Sequence, residues 1–522
     1  MISGNDEIDR ARRYHRLTAH SPESVRRDRH RLDWVNQPAP FKVYPDLPVV
    51  PLPREVPPPP RDTLAALSGP LAAPVPLDRD RLATLLFHAA GVTRTKQYAG
   101  GETTYYRAAP STGALYQTEA YVVAGAVDGL DPGVYHFSPG DFALRRLRAG
   151  DFRGALATAA ADDGLAAAPA AVVLTAIYWR NTWKYQARGY RHLFWDSGTL
   201  LSQLLAAARA LDTPARVVTG FVDGEVNALL GLDAAREGAL EIAPLGGPGP
   251  GAGPSPPVVS LAPAVIPLSA REVDYPLLVE AYADSSLAGE AGVLAWRERA
   301  AALRGADGPP APGGARLVPL PAPRAAAGRS LGDTVLARGS TREFSGEAIG
   351  AEALATALHH ATRGLEADVP AGLVDLYLTV HAVEGVPPGA YVYHPGLHAL
   401  EALKAGDVRE EAAFLCLEQP LGGMSSATVF FLADLDRVLG ALGNRGYRVA
   451  NLEAGVIGGR LYLGAYAQRF GATGLTFYDD LVVGFFSPHA RGKAALFVTA
   501  LGRSVRRPAR RPVPLGIQPK SG

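Results

Sequence analysis

The sequence predicts a tandem duplication, in which two halves of the chain share one fold. The first observation is length, because 522 residues exceed one typical hydrophobic core and leave room for two or three domains. The second is an internal repeat: LDPGVYHFSPGDFALRRLRAGD at 130–151 matches VPPGAYVYHPGLHALEALKAGD at 386–407 without a gap, 256 residues later. The third is that RGYR recurs in this register, within one residue, at 188–191 and 445–448.

Local patterns then predict the elements of the first half in order. They are a charged and partly helical stretch at 5–34, a proline-rich surface segment at 46–62, a helix at 78–90, a strand at 120–127, a buried apolar run at 170–179 and a long helix at 190–211. The helix LATLLFHAAG at 82 has its counterpart in LATALHHATRG at 354. We therefore expect the same elements again in the second half.

Segments rich in proline and glycine separate the halves. GGPGPGAGPSPP at 246–257 has too much of both residues to pack, and it predicts a linker. An extra helical segment is expected at 270–304, before a second such linker. The predicted organisation is an N-terminal extension at 1–50, a first domain at 51–247, a linker with a helical segment at 248–318, a second domain at 319–505 and a basic, proline-rich tail at 506–522.

Charge and composition exclude several classes of function. The 52 Lys and Arg against 51 Asp and Glu give a net charge of +1, which supplies no general attraction for nucleic acid. Cys416 is the only cysteine, so intrachain disulfides and cysteine metal clusters are excluded. The N-terminus has charges throughout and no long apolar run follows it, so we expect a cytoplasmic protein without a membrane partner. No histidine pattern, His359-His360 included, has metal-ligand spacing.

Residues present in one half and missing from the other indicate a site. The second half carries LARGSTREFSG, which sets Arg338, Ser340 and Arg342 at alternate positions. An extended strand would present these two guanidinium groups and the hydroxyl on one side, which suits a phosphate or a carboxylate. The equivalent stretch of the first half, at 63–77, contains no arginine.

Two further differences lie in the first half. PSTGALY places Pro110, Ser111, Thr112 and Gly113 in a small-residue loop that lets the backbone approach a ligand closely, where the second half has EADVPAG. Lys184-Tyr185 stands where the second half has Ala441 and Leu442. The dipeptide could be a proton donor and acceptor pair, or an exposed lysine beside a packed tyrosine.

Together these motifs resemble a known family. Arg-x-Ser-x-Arg before a helix, PSxGALY before a strand, Lys-Tyr followed by RGYR, and GATGLTFYDD at 471–480 are similar to the SagB-type dehydrogenases of the FMN-dependent nitroreductase superfamily. The N-terminal RYHRLTAHSPESV is similar to the same group. Within that group, azoline dehydrogenases oxidise thiazolines and oxazolines in peptides to thiazoles and oxazoles.

The resemblance implies an α+β fold, with a central, mainly antiparallel sheet and surrounding helices in each of two domains. It also implies that the domains form an intramolecular pseudo-dimer with FMN at their interface. The surviving half-sites would meet once, giving one FMN per chain. Its expected contacts are Arg338, Ser340, Arg342, Pro110, Ser111, Thr112 and Gly113, with Arg491 and Lys493 as further candidates for the phosphate.

The resemblance further implies that Lys184 and Tyr185 remove the proton whose loss accompanies hydride transfer. A lysine base must lose its own proton near neutral pH, and Arg180 and Arg188 are candidates for the cation that favours this loss. Glu119 and Tyr116 are expected to line the pocket. The substrate would be a small molecule or a peptide, with a cyclodehydratase as a candidate partner. An NAD(P)H-dependent nitroreductase-like reductase and a flavin-free scaffold remain alternatives.

Overall fold

The computed structural model describes residues 4–98, 101, 103–303 and 314–505. The tail expected at 506–522 lies outside the described residues. Within the described part, none of the helices has the length and hydrophobicity that a membrane span requires.

The first half contains strands on which its helices pack. The strands are β1 (Val49–Pro51), β2 (Val92–Gln97), β3 (Thr103–Arg107), β4 (Thr118–Ala124), β5 (Gly133–Ser138), β6 (Ala143–Ala149), β7 (Ala170–Ile177) and β8 (Glu237–Leu245). The helices, including two in the N-terminal segment, are α1 (Asp9–Leu17), α2 (Pro22–Arg27), α3 (Thr63–Ser68), α4 (Arg79–Ala90), α5 (Arg153–Ala160), α6 (Asp163–Ala167), α7 (Tyr178–Tyr185), α8 (Gly189–Ala210) and α9 (Asp223–Leu230).

The connecting segment adds two helices, and the second half follows the plan of the first. The connection holds α10 (Pro276–Asp284) and α11 (Gly289–Ala302). The strands of the second half are β9 (Leu317–Pro319), β10 (Ile349–Gly350), β11 (Asp375–Val380), β12 (Val383–Glu384), β13 (Gly389–His394), β14 (Ala399–Ala405), β15 (Ala427–Ala433), β16 (Gly471–Gly474) and β17 (Ala494–Gly502). Its helices are α12 (Leu331–Ala337), α13 (Ala351–Ala361), α14 (Arg409–Leu415), α15 (Pro420–Met424), α16 (Leu435–Leu442), α17 (Arg445–Ala467) and α18 (Asp479–Phe486).

Two antiparallel sheets confirm the predicted fold class. Their strand orders are β1-β6-β5-β4-β7-β8 and, from the equivalent edge, β9-β14-β13-β11-β15-β17-β16. Both sheets have a register shift at the same repeat-related place, between Val134 and Tyr135 in one and between Ala390 and Tyr391 in the other. The central strands β4, β7 and β15 are buried throughout, because helices cover both faces of each sheet.

The halves pack through α8 and α17, which carry the two RGYR motifs at their starts. Glycines allow the backbones to come close: a side chain on Gly198 would lie 2.6 Å from the carbonyl oxygen of Leu452, and one on Gly455 would lie 2.5 Å from that of Trp195. Trp195 Nε1 also donates a hydrogen bond of 2.8 Å to Asn451 Oδ1. The chain therefore forms an intramolecular pseudo-dimer, as the sequence predicts.

Reciprocal buried ion pairs tie the halves together. Arg188 Nη1 lies 2.9 Å and Arg191 Nη1 2.5 Å from the carboxylate of Asp479 in the other half. The arginines of the second RGYR make the mirror-image contact, with Arg445 Nη1 and Arg448 Nη1 each 2.7 Å from the carboxylate of Asp223. The recurrence of RGYR thus has a structural cause.

The segment at 246–257, predicted not to pack, lies in contact with the first domain. Gly249 N donates a hydrogen bond of 2.8 Å to Ala167 O, and Ala252 N one of 3.0 Å to Ala166 O. The prediction was wrong because an extended backbone can still satisfy its polar groups on a neighbouring surface without forming a helix or strand.

Candidate functional site

The Arg-x-Ser-x-Arg segment begins at the end of α12, which the side chain of Ser330 caps through a 3.1 Å hydrogen bond from Asp333 N. Arg338 then reaches into the other half. Its Nε donates to Ala108 O at 2.7 Å and its Nη2 to Arg107 O at 3.1 Å. The two half-sites predicted from the sequence therefore lie together, across the interface between the domains.

Asp196 of α8 anchors the small-residue loop of the first half through hydrogen bonds to its carboxylate. The Asp196 carboxylate accepts hydrogen bonds from Ser111 Oγ (2.6 Å), Thr112 N (2.8 Å), Thr112 Oγ1 (2.7 Å) and Gln117 Nε2 (2.7 Å). Burial raises the pKa of Asp196 to about 6, against the opposing effect of these donors. The hydroxyl groups of Ser111 and Thr112 and the amide of Thr112 are thus engaged by the protein itself, which fixes the shape of the loop.

Both ends of the loop are fixed as well. The carbonyl oxygen of Pro110 accepts a hydrogen bond of 2.7 Å from Thr199 Oγ1. Gly113 has a φ of +64°, and a side chain there would lie 2.9 Å from the hydroxyl of Tyr185. Glycine is required at this position by both the left-handed backbone and the close approach of the tyrosine.

Lys184 and Tyr185 end helix α7 beside this loop, and Arg342 of the other half faces them. Burial and then the positive charge of Arg342 lower the pKa of Lys184. Burial and then the charge of Asp196 raise the pKa of Tyr185, so the phenol keeps its proton. Lys184 Nζ lies 5.4 Å from the centre of the Tyr185 ring. The pair offers a lysine that is easier to deprotonate beside a neutral hydroxyl.

The sequence neighbours proposed to act on Lys184 have other partners. Arg180 pairs with the buried carboxylate of Glu119, and Arg188 pairs with Asp479 across the interface. The cation that acts on Lys184 is Arg342, about 160 residues away in the chain. This expectation was wrong because α7 and α8 direct Arg180 and Arg188 into the protein, where each charge needs a buried counter-ion.

Glu119 is buried and paired with protein side chains. It is 1% exposed and lies between Arg180 Nη1, His136 Nε2 and Arg107 Nη2, the last at 3.7 Å. Burial opposes ionisation, but Arg180 and the other partners hold the pKa of Glu119 well below its usual range. Tyr116 is close enough to Arg338 for the arginine charge to act on its pKa, which burial raises.

The remaining predicted contacts differ in where they lie. Ser340 Oγ is 3.2 Å from the hydroxyl of Tyr462, inside the second half and next to Arg338. Lys493 instead forms an ion pair with Asp375, and its Nζ lies 5.3 Å above the ring of Tyr377. Arg491 is exposed. The charge of Lys493 is thus neutralised by Asp375, the first residue of β11 in the same sheet.

Sequence reasoning missed a cation of the first half. Arg94 lies on β2, and its Nη1 is 3.9 Å from the position that a side chain on Gly339 would take. Its strand pairs with β3 to form a hairpin that the second half lacks. The sequence contains a signal for this insertion. The number of residues that separates matching segments of the two halves is larger before the loop, for LATLLFHAAG and LATALHHATRG, than it is after the loop.

These cations have no acidic partners in the described part of the chain. Among residues 4–98, 101, 103–303 and 314–505, no carboxylate forms an ion pair with Arg94, Arg338, Arg342 or Lys184. Positively charged side chains that lie close together without carboxylate partners create a positive potential, which favours a bound anion.

The repeat-related position on the opposite side of the interface is closed. Strand-like residues of the first half bridge to the loop that replaces PSTGALY: Val217 N donates to Glu366 O at 2.9 Å, and Asp368 N to Val217 O at 3.1 Å. The Asp368 carboxylate accepts hydrogen bonds from Thr219 N and Oγ1, at 2.9 and 2.8 Å. The cavity left there has about 20 Å³, room for about one water molecule.

Comparison with known proteins identifies the family to which the chain belongs. A model of the nitroreductase family matches residues 73–246. The "Putative nitroreductase MJ1384" of Methanocaldococcus jannaschii is 30% identical over 172 residues, which cover 33% of this chain and 81% of that protein. The crystal structure of a putative nitroreductase from Anabaena variabilis superposes with a TM-score of 0.77 at 29% identity, covering 95% of this chain and 99% of that one.

The fold and these matches define the class of the protein, an α+β oxidoreductase. The chain belongs to the nitroreductase family, whose members generally use FMN. The residues present suit that cofactor. Arginines without carboxylate partners can bind a phosphate, and a loop of small residues with a required glycine can lie against a planar ring.

Proposed function

We propose that the protein is an FMN-dependent dehydrogenase of the SagB type, with one composite site between its domains. The observation that carries the proposal is that Arg338 of the second half donates to the backbone of Arg107 and Ala108, just before the PSTGALY loop of the first. Each half supplies what the other lacks. The substrate we propose is an azoline-like ring of a peptide or a natural product, oxidised to the aromatic azole.

The phosphate would be held by Arg338 and Arg342, with Ser340 beside them and the backbone of 110–113 against the ring. When bound, FMN supplies the hydride acceptor for such an oxidation. Lys184 would take the proton from the substrate at Nζ, since burial and Arg342 favour its neutral form. Tyr185, which keeps its proton, would orient the substrate by donating a hydrogen bond from its hydroxyl.

We infer one FMN per chain. Two observations support this number. The first half has no arginine at 63–77, and the loop at 366–372 is bridged to Val217 and Thr219 where a second cofactor would otherwise lie.

A second candidate is an NAD(P)H-dependent reductase of a small molecule, which the names of the two similar proteins favour. For the dehydrogenase, we propose a cytoplasmic protein that works after a cyclodehydratase, since that reaction class forms the azoline. The single cysteine, which is buried, suits a reducing compartment.

The experiment that separates these functions supplies purified protein with an azoline peptide and an electron acceptor, and separately with NADPH and a nitroaromatic. The dehydrogenase predicts a product lighter by two hydrogens in the first mixture, abolished by Lys184→Ala. Turnover of the nitroaromatic alone would support the reductase instead. A colourless protein that binds no FMN would leave the scaffold alternative.

A further inference from the structure

A hairpin distinguishes the first half from the second next to the composite site. Strands β2 and β3 pair in antiparallel fashion between helix α4 and the loop at 110–113. In the second half, residues 362–374 connect α13 to β11 without such a hairpin. The insertion therefore exists only in the half that carries the loop at 110–113.

The hairpin carries Arg94 to the second half's arginine segment. The Arg94 guanidinium lies 4.5 Å from the centre of the Tyr106 ring, on the paired strand, which fixes its direction. Its Nη1 comes within 3.9 Å of the side-chain position of Gly339, the residue between Arg338 and Ser340. A cation from one half thus faces the arginine segment of the other.

No carboxylate of the described residues neutralises this arrangement. Burial lowers the pKa of Arg338, neighbouring tyrosines oppose the change, and the charge of Arg94 lowers it further. Within the described residues, neither guanidinium has a carboxylate partner. Holding two such charges together is unfavourable unless an anion lies between or beside them.

We propose that Arg94 is an anion-binding residue of the composite site, contributed by the first half, and that it contacts the phosphate of the cofactor together with Arg338. The assignment rests on the proposed function, because it takes FMN as the ligand. It gives the hairpin a role: the half that supplies the loop also supplies one of the cations, so both halves hold the phosphate.

The test compares FMN with riboflavin, which has the same ring system and no phosphate. Dissociation constants are measured for wild type, Arg94→Gln and Arg94→Lys by flavin fluorescence after ultrafiltration of the purified protein. Lys96→Gln is the matched control, since Lys96 lies on the same strand and contacts Tyr98 at the exposed end of the hairpin. Circular dichroism checks that all variants are folded.

We expect Arg94→Gln to weaken FMN binding about 10- to 100-fold, the range of one charge-assisted hydrogen bond. Riboflavin binding should change less than about threefold, Arg94→Lys should recover part of the FMN affinity, and Lys96→Gln should match wild type. Equal losses for both flavins, or no loss for FMN, would overturn the assignment. Wild-type protein that binds no FMN would instead refute the proposed function, whatever Arg94 does.

Discussion

Replacing Asp479 with asparagine tests the reciprocal ion pairs that hold the halves together. The Asp479 side chain is 1% exposed, and those of Arg188 and Arg191 are 5% and 0% exposed. The change removes the negative charge and leaves two buried guanidinium groups without a counter-ion. Breaking a buried pair from one side costs about 3–5 kcal/mol of unfolding free energy, and we expect a loss in that range.

Urea unfolding, followed by tryptophan fluorescence, measures this loss. Glu7→Gln is the control, because Glu7 and Arg10 form an ion pair with side chains 45% and 49% exposed, and such surface pairs contribute about 0–1 kcal/mol. Asp223→Asn should behave like Asp479→Asn, since it breaks the mirror-image contact. A loss for Asp479→Asn no larger than that for Glu7→Gln would refute the reasoning.

The pH dependence of this difference has a defined sign. Arg188 and Arg191 hold the pKa of Asp479 below its usual range, against the effect of burial. A depressed carboxyl pKa stabilises the folded state above the unfolded-state pKa, about 3.9, and that stabilisation is lost as the pH falls towards the folded-state value. The gap between wild type and Asp479→Asn should therefore be full at neutral pH and shrink below about pH 4.

Two further predictions concern the site. If Lys184 acts as a base, the rate of substrate oxidation should rise with pH through a pKa below the usual lysine value. Arg342→Gln should move that rise to higher pH, because the change removes a neighbouring positive charge. A pH–rate profile that Arg342→Gln leaves unmoved would contradict this role. Asp196→Asn should weaken FMN binding about 10-fold at pH 7.5, since an amide cannot accept every donor of the loop. FMN binding by the wild type should weaken as the pH falls through about 6, where Asp196 takes up a proton. FMN binding by Asp196→Asn should show no such step, and equal pH dependence in the two proteins would remove Asp196 from this role.

Much of the fold could be predicted because a duplication provides its own comparison. The repeat gave two equivalent sheets, and differences between the halves singled out Arg338 and the loop at 110–113, which the structure brings together. These features are local in sequence, so spacing alone reveals them.

What the sequence could not predict depends on contacts between distant residues. Arg188 lies four positions from Lys184, yet it pairs with Asp479 in the other half. Asp196 looks like one more polar residue of a long helix, and its role follows from the donors that fold over it. Lys493 is neutralised by Asp375, which lies 118 residues earlier in the chain at the start of β11. In each case the partner, rather than the residue type, determines what the charge does.

The central claim is that the two halves build one cofactor site and not two. Its most direct test is the amount of FMN released from purified protein by denaturation, set against protein concentration from amino-acid analysis. We predict one FMN per chain for wild type and strongly reduced FMN for Arg338→Ala. Two FMN per chain would contradict the account, because the position at Val217 and Asp368 would then have to open and bind a second cofactor.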